Sequence, residues 1–394
     1  MIVVKLINAL KTKAIKNYLS IFFEMVNKKF WAATFTLSGT IIGAGILGLP
    51  YIFSKSGFFV GVLWLIIFGG IMTFVNLCFG EITLRTNGKH QLSGYAEKYL
   101  GKWGKRIMFF AVIFGVYSAL LAYIVGEGKS LSQILPWDID PIFYGIIFWG
   151  FLTFLLKGGM RELKKIETYS VLTIIFIILG ILLWFLPTIN FENLLLFDLS
   201  KFFIPIGVIL FSLLGFIAIP ELKNELKGQE KLLKKAIILG GTIPVFLYII
   251  FCGIFIGILG NNISEVATLS LGPIVTMVGI FTMSSAFFIL TYSLKNTFKF
   301  DFGVSEKTNL FFSSLLPLIV YLLIQKFNLL GFTSILGIGG VVSAGLTGIM
   351  ILIMEQKAKK YGNREPEFKM PIGWVGAALL SLIFAIGIFF ECLK

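Results

Sequence analysis

Apolar residues run along this chain in long unbroken stretches, separated by short clusters of lysine. A hydrocarbon core roughly 30 Å thick needs about 20 consecutive apolar residues to cross it as a helix. Stretches of that length fall near 32–53, 58–84, 107–133, 141–157, 168–187, 202–220, 236–259, 273–294, 309–325, 332–354 and 373–391. The pattern predicts an all-α polytopic membrane protein with eleven transmembrane helices, and the loops between them are too short for a soluble domain. Residues 1–30 differ: Leu6, Ile7 and Leu10 alternate with Lys5, Lys11, Lys13 and Lys16. That reads as a basic cytoplasmic segment lying on an anionic leaflet, with a disordered cytosolic tail as the alternative. Its basic stretch is too long for the n-region of a cleaved signal peptide.

Two spans carry interruptions. Residues 36–51 read TLSGTIIGAGILGLPY, with Gly39, Gly43, Gly45, Gly48 and Pro50 inside an apolar run. Backbone that leaves the helix at bilayer depth is tolerated only where protein buries it or where it lines a polar cavity, and glycine lets a ligand approach the main chain closely. Span 6, residues 205–220, reads PIGVILFSLLGFIAIP, with Ser212 and Gly215 at a comparable depth. With the N-terminus inside, spans 1–5 start in the cytoplasm and spans 6–10 start outside. Two five-helix halves of inverted topology follow, residues 31–187 and 202–354, with residues 373–394 as an accessory helix 11. Broken helices at matching positions of inverted halves mark a small-molecule site between them.

Composition sharpens this picture. Apolar residues make up 57% of the 394 and charged residues 14%, against roughly 25% charged in a soluble chain. The net charge of +14 follows the loops: of 34 Lys and Arg, only Lys55, Lys129, Lys201, Lys326 and Lys394 fall on the outer side. This is the positive-inside bias. It places the N-terminus in the cytoplasm and the C-terminus outside a multi-pass cell-membrane protein, and it explains the charge without nucleic acid.

By these boundaries no charged residue lies mid-span. Glu81 closes span 2, and Glu127 lies near the outer end of span 3. Intramembrane charges are costly and functional, so a site without them suits a zwitterion, held by helix N-termini at its carboxylate and by free carbonyls at its ammonium. A small neutral amino acid fits. One histidine, His90, in a loop, and three scattered cysteines, Cys78, Cys252 and Cys392, argue against an enzyme, a metal cluster or a disulfide framework. A sensor built on a transporter scaffold stays open.

Residues 36–51 resemble the first-span motif of the amino acid/auxin permease family, within the amino acid–polyamine–organocation transporter superfamily. Residues 211–222 (FSLLGFIAIPEL) resemble its sixth-span motif, and 81–85 (EITLR) and 119–126 (ALLAYIVG) also look familial. The resemblance covers the full chain. It implies the five-plus-five inverted-repeat fold with helices 1 and 6 broken, and secondary active import by alternating access. It also implies roles. The backbone around Thr40, Ile41, Gly43, Ala44 and Gly45 receives the substrate carboxylate. Phe211, Ser212 and Leu214 offer carbonyls to the amino group, Gly215 permits the break, Phe216 acts as an aromatic lid, and Tyr117 closes the site from the side. Sodium-coupled relatives hold their cation between span-1 carbonyls, here Gly39 and Ile42, and a span-8 hydroxyl pair, here Ser284 and Ser285. Sodium is therefore the coupling ion expected, and no other cofactor is. The alternative for the two serines is hydrogen bonding within their own helix or to a neighbour. Some proton-coupled relatives carry a lysine in span 5, and the matching residues 167–175 (ETYSVLTII) have none. Proton symport, with Glu127 titrating, and exchange are the alternatives. Glu127 also reads as an interface carboxylate beside Lys129.

Overall fold

The computed structural model describes residues 27–88, 90–156, 173, 176–181, 183–301 and 304–392. The basic N-terminal segment before Asn27, residues 167–172 and Lys394 lie outside them.

The first predicted span is two helices, α1 (Lys28–Ile41) and α2 (Gly45–Ser56), bent by 55° at residues 42–44. Asn27 caps α1, its side chain accepting from the amides of Lys29 and Phe30. There follow α3 (Phe58–Leu84), α4 (Leu92–Ile134), α5 (Pro141–Leu155) and α6 (Phe176–Thr188). The sixth span is also broken, into α7 (Ile206–Ser212) and α8 (Ile219–Glu225). After it come α9 (Leu233–Leu259), α10 (Pro273–Asp301), α11 (Glu306–Lys326), α12 (Phe332–Tyr361) and α13 (Trp374–Cys392). Among the described residues, seven helical spans are long and apolar enough to cross a membrane, the bent pair makes an eighth, and three shorter apolar helices bring the number to eleven. The protein is an all-α, eleven-span bundle with helices 1 and 6 broken, arranged as two five-helix halves and an accessory helix.

Packing follows side-chain size. α12 is pressed against α4 and α7. A Cβ on Gly340 would fall on the carbonyl oxygen of Gly207, and one on Gly207 would lie 2.9 Å from the Cα of Gly337. Small residues let helix backbones approach where lipid gives no hydrophobic driving force between helices. On the outside of the bundle, Phe143, Ile147, Phe151 and Phe154 of α5 form an exposed stripe at helical spacing, as a lipid-facing helix requires.

Helix ends run past the hydropathy reading in several places, two of which change the picture. α4 begins at Leu92, well before residue 107, and a left-handed Gly101 (φ 76°) joins its polar first turns to the span. α12 runs past residue 354 to Tyr361, with Lys359 and Lys360 in its last turn, where cations favour the helix dipole. The expectation that no charge lies within a span is corrected as a result. Glu355 is fully buried inside α12, and Glu81 and Glu127 are equally buried in α3 and α4. Hydropathy ends a span at its first charges, whereas the helix continues wherever those charges find partners.

Those partners braces the lysine-rich end. Arg85 Nε donates to Glu81 at 2.7 Å, Lys359 Nζ lies 2.7 Å from Glu355, and the amide of Met370 donates to Glu81. At the opposite end, Glu265 takes Lys129 Nζ at 3.0 Å, the amide of Phe332 at 3.2 Å and the Thr333 hydroxyl at 3.1 Å. One carboxylate thereby ties the segment before α10 to the ends of α4 and α12.

Candidate functional site

The break in helix 1 is made by backbone leaving the helical register. Ile42 turns out of it (φ −78°, ψ 86°), and the amide of Gly43 bonds back to the carbonyl of Ile41 at 2.9 Å. An α-helix leaves its first four N–H groups without intrahelical partners. No side chain caps α2 at Ala44. The amide of Ala44 donates instead to Tyr123 Oη on α4, at 3.0 Å. The N-terminus of a twelve-residue helix thus opens at the break, and such an end attracts an anion.

The break in helix 6 lies directly against it. A Cβ on Gly45 would collide with the Cβ of Ser212, so glycine is what lets the two interruptions cross. Tyr248 of α9, fully buried, reaches both of them. Its hydroxyl lies 2.9 Å from the carbonyl of Ile41 and 2.8 Å from that of Ser212. One phenolic proton shared between two helix-ending carbonyls fixes the breaks to one another.

Two adjoining cavities open here. The smaller, about 100 Å³, is lined by Thr40, Ile41, Gly43, Ala44, Gly45, Phe211, Leu214, Gly215 and Phe216, with Val112, Gly115, Val116, Ala119 and Tyr123 from α4. No charged side chain lines it. The larger, about 610 Å³, shares Thr40, Gly43 and Tyr123 and runs to the lysine-rich end, where Gln91, Ser93, Glu221 and Asn224 line it. At the other end Glu265 ties the helices together.

Nearly all the residues read from the sequence as a substrate site are brought together in the smaller cavity. Two are not. Ser212 lines neither cavity: its hydroxyl donates to the carbonyl of Ile209 at 2.8 Å, and its own carbonyl is taken by Tyr248. Tyr117 is a correction. Its hydroxyl donates to the carbonyl of Phe312 at 2.6 Å, and the tyrosine at the break is Tyr123. Six positions along a helix turn the side chain by about 240°, so one tyrosine facing the breaks puts the other out. A signal for the right one was present: Gly115, Ala119 and Tyr123 recur every four residues, a small-residue face ending in a hydroxyl. Tyr248 carried no sequence signal, since nothing in α9 shows which carbonyls it meets.

The span-8 hydroxyl pair separates. Gly39, Ile42 and Ser285 line the larger cavity, but Ser284 does not. Ser284 Oγ donates to Glu127 Oε1 at 3.0 Å, whereas Ser285 Oγ donates back to the carbonyl of Thr282 at 2.9 Å. Nor is Glu127 an interface carboxylate beside Lys129, because Lys129 pairs with Glu265.

Comparison with known proteins gives concordant results. The family model described as the tryptophan/tyrosine permease family matches residues 26–291. Tyrosine-specific transport system 1 of Haemophilus influenzae is 28% identical over 225 residues, 56% of this chain and 55% of that protein. Glutamine transporter 2 of Aliivibrio fischeri is 25% identical over 262 residues, 62% of this chain and 65% of that protein. The chain thus spans between about half and two thirds of the length of these curated relatives. The crystal structure of MhsT in complex with L-phenylalanine superposes with a TM-score of 0.65 at 14% identity, covering 92% of this chain and 97% of that one. At that identity the likeness is one of fold.

Proposed function

The chain belongs to the tryptophan/tyrosine permease family, and from that membership we propose that it imports a neutral amino acid across the cell membrane by alternating access, driven by an ion gradient. The observation that carries this reading is the pair of crossed helix breaks opening on a chamber with no charged side chain on its wall.

A zwitterion suits that chamber from both ends. Its carboxylate goes to the uncapped start of α2, where amide dipoles supply a partial positive charge, and the Tyr123 proton is available to it as a second donor. Its ammonium goes to the carbonyls that end α7, around Phe211 and Leu214, each with a second lone pair to offer. The side chain then lies among Val112, Val116, Ala119 and Phe216, which have no counter-charge for a lysine or glutamate side chain. A charged substrate would stay unpaired in a low-dielectric site and would be rejected.

The positive-inside bias makes the lysine-rich end cytoplasmic. The larger cavity is then the exit path to the cytoplasm, the Glu265 cluster is the closed outer side, and the basic face rests on anionic lipid. Two couplings follow from the sequence, sodium at Gly39, Ile42, Ser284 and Ser285, or a proton at Glu127. The parting of Ser284 from Ser285 favours the proton.

Counterflow in proteoliposomes tests the transport reading without any assumption about the driving ion. Vesicles preloaded with one unlabelled amino acid at a time are predicted to take up the labelled form of neutral amino acids, and not lysine or glutamate. Counterflow of the charged amino acids alone, or of none, would contradict the reading.

A further inference from the structure

We infer that Ser343 and Thr347, on the α12 side of the chamber, form a subsite for the substrate's side chain, an inference that rests on the transport function proposed above. The subsite selects an uncharged hydrogen-bonding group, a hydroxyl or a carboxamide, over an alkyl group of the same shape. Both residues line the smaller cavity, and both are buried, Ser343 at 4% and Thr347 at 1% exposure. The Thr347 hydroxyl has no hydrogen-bond partner among the described residues. Threonine within a helix can bond back to the carbonyl four residues earlier, as Thr34 does to Phe30, Thr40 to Thr36 and Thr291 to Phe287. Thr347 makes no such bond to Ser343.

Close packing brings these hydroxyls to the chamber. Gly340 of α12 lies against the main chain of Gly207 and Phe211 in α7, so α12 reaches the end of α7 that receives the ammonium. Ser343 and Thr347 follow Gly340 by three and seven positions, which keeps all three on one side of the helix. Across the chamber, α4 makes room. A Cβ on Gly115 would fall on the Ser343 hydroxyl, so glycine there leaves that hydroxyl its space.

The other polar side chains of the chamber are already engaged. Thr40 Oγ1 donates to the carbonyl of Thr36 at 2.8 Å, and Tyr123 Oη holds the amide of Ala44. Val112, Val116, Ala119, Phe216 and Leu290 make the rest of the wall apolar. With the two ends of the zwitterion at α2 and α7, α12 supplies the polar groups that remain for the third substituent. A hydroxyl both donates and accepts, so Ser343 and Thr347 match a hydroxyl or a carboxamide. An alkyl side chain fills the same space but leaves the Thr347 hydroxyl buried and unpaired. Such a site discriminates against the analogue that lacks the bonding group.

Counterflow by the full chain in proteoliposomes, read as half-saturating concentrations, tests this with substrates paired by shape. The pairs are serine against alanine, threonine against valine, tyrosine against phenylalanine and glutamine against methionine; the last asks for a carboxamide, the others for a hydroxyl. Wild type is predicted to favour the polar member about tenfold in each pair it transports, roughly the effect of one neutral hydrogen bond. T347V, which keeps the shape of threonine, is predicted to bring the members within about twofold of one another. S343A is predicted to narrow the gap and T347S to keep it. Because the Thr347 hydroxyl has no partner to lose, the melting temperature of T347V is predicted to match or exceed that of wild type. A T347V protein that melts lower or does not fold would assign the hydroxyl to packing and overturn the inference. So would equal half-saturation within every pair in wild type, counterflow confined to apolar side chains, a preference that survives T347V, or one lost in T347S. Absence of counterflow for every neutral amino acid would instead overturn the transport function, and this inference with it.

Discussion

Two tyrosines six positions apart in α4 show what single side chains do here. Tyr123 contributes an oxygen to the amide of Ala44 and a proton to the chamber, while Tyr117 donates to the carbonyl of Phe312 outside it. A hydrogen bond to a charged group is worth about 1.5–3 kcal/mol, so Y123F is predicted to raise the KM for uptake about ten- to hundredfold. Y117F is predicted to leave KM within about twofold, since a lost neutral hydrogen bond is worth roughly 1 kcal/mol and acts on stability. Initial-rate uptake measurements on the two variants check the assignment, and equal losses would contradict it. Most of the helix-break residues that line the chamber were legible in the sequence at this scale because glycines and small residues mark backbone exposure directly. Tyr117 was misread, and Tyr248 went unseen, because which hydroxyl meets which carbonyl depends on helix rotation, which apolar runs leave undetermined. The hydroxyls of Ser284 and Ser285 parted for the same reason: neighbours on a helix point about 100° apart.

The broken helices were legible as elements because their interruptions are chemical. Gly43, Ala44 and Gly45 cannot hold a span together unaided, and Leu213 to Gly215 matches them in the other half. Helix ends were less legible. Charges that pair inside the bundle, Glu81 with Arg85 and Glu355 with Lys359, look in a hydropathy profile like the edge of a membrane. The contact between α7 and α12 is decided by Gly207, Gly337 and Gly340, where any Cβ on Gly340 meets main chain rather than a movable side chain. Because α7 carries half of the second break, G340L is predicted to cost more than about 3 kcal/mol, the range of severe overpacking. It is expected to appear as a large fall in detergent melting temperature and loss of a monodisperse elution peak. A melting temperature within error of wild type would show that the two helices are not so close.

At the scale of the whole molecule, the two ends differ in their polar ties. The lysine-rich end is braced by Glu81 and Glu355, with a wide cavity reaching Gln91, Ser93, Glu221 and Asn224, and the opposite end is drawn together by Glu265. Removing that carboxylate's charge releases Lys129 and weakens its bonds to the amide of Phe332 and the hydroxyl of Thr333. E265Q is predicted to shift the resting population toward the outward-open state about tenfold, the effect of roughly 1.4 kcal/mol lost from one side of the equilibrium. A cysteine placed at Val116, on the chamber wall, should then react faster with a membrane-impermeant thiol reagent from outside, and an unchanged rate would contradict a latch there. The eleven-span architecture and the charge asymmetry were plain in the sequence, because both are set by composition over tens of residues. The polar ties at each end were not, since which charges meet depends on how the helices pack.

Equilibrium binding of radiolabelled neutral amino acids to the purified protein, wild type beside G43L, is the measurement that goes most directly to the crossed breaks as a substrate site. A Cβ at Gly43 already lies 3.0 Å from Tyr123 Oη, and a leucine side chain there fills the space between that hydroxyl and the start of α2. Saturable binding in wild type that falls at least about a hundredfold in a folded G43L protein is the predicted result. Equal binding by both proteins would place the amino acid elsewhere in the bundle, and the site described here would be wrong.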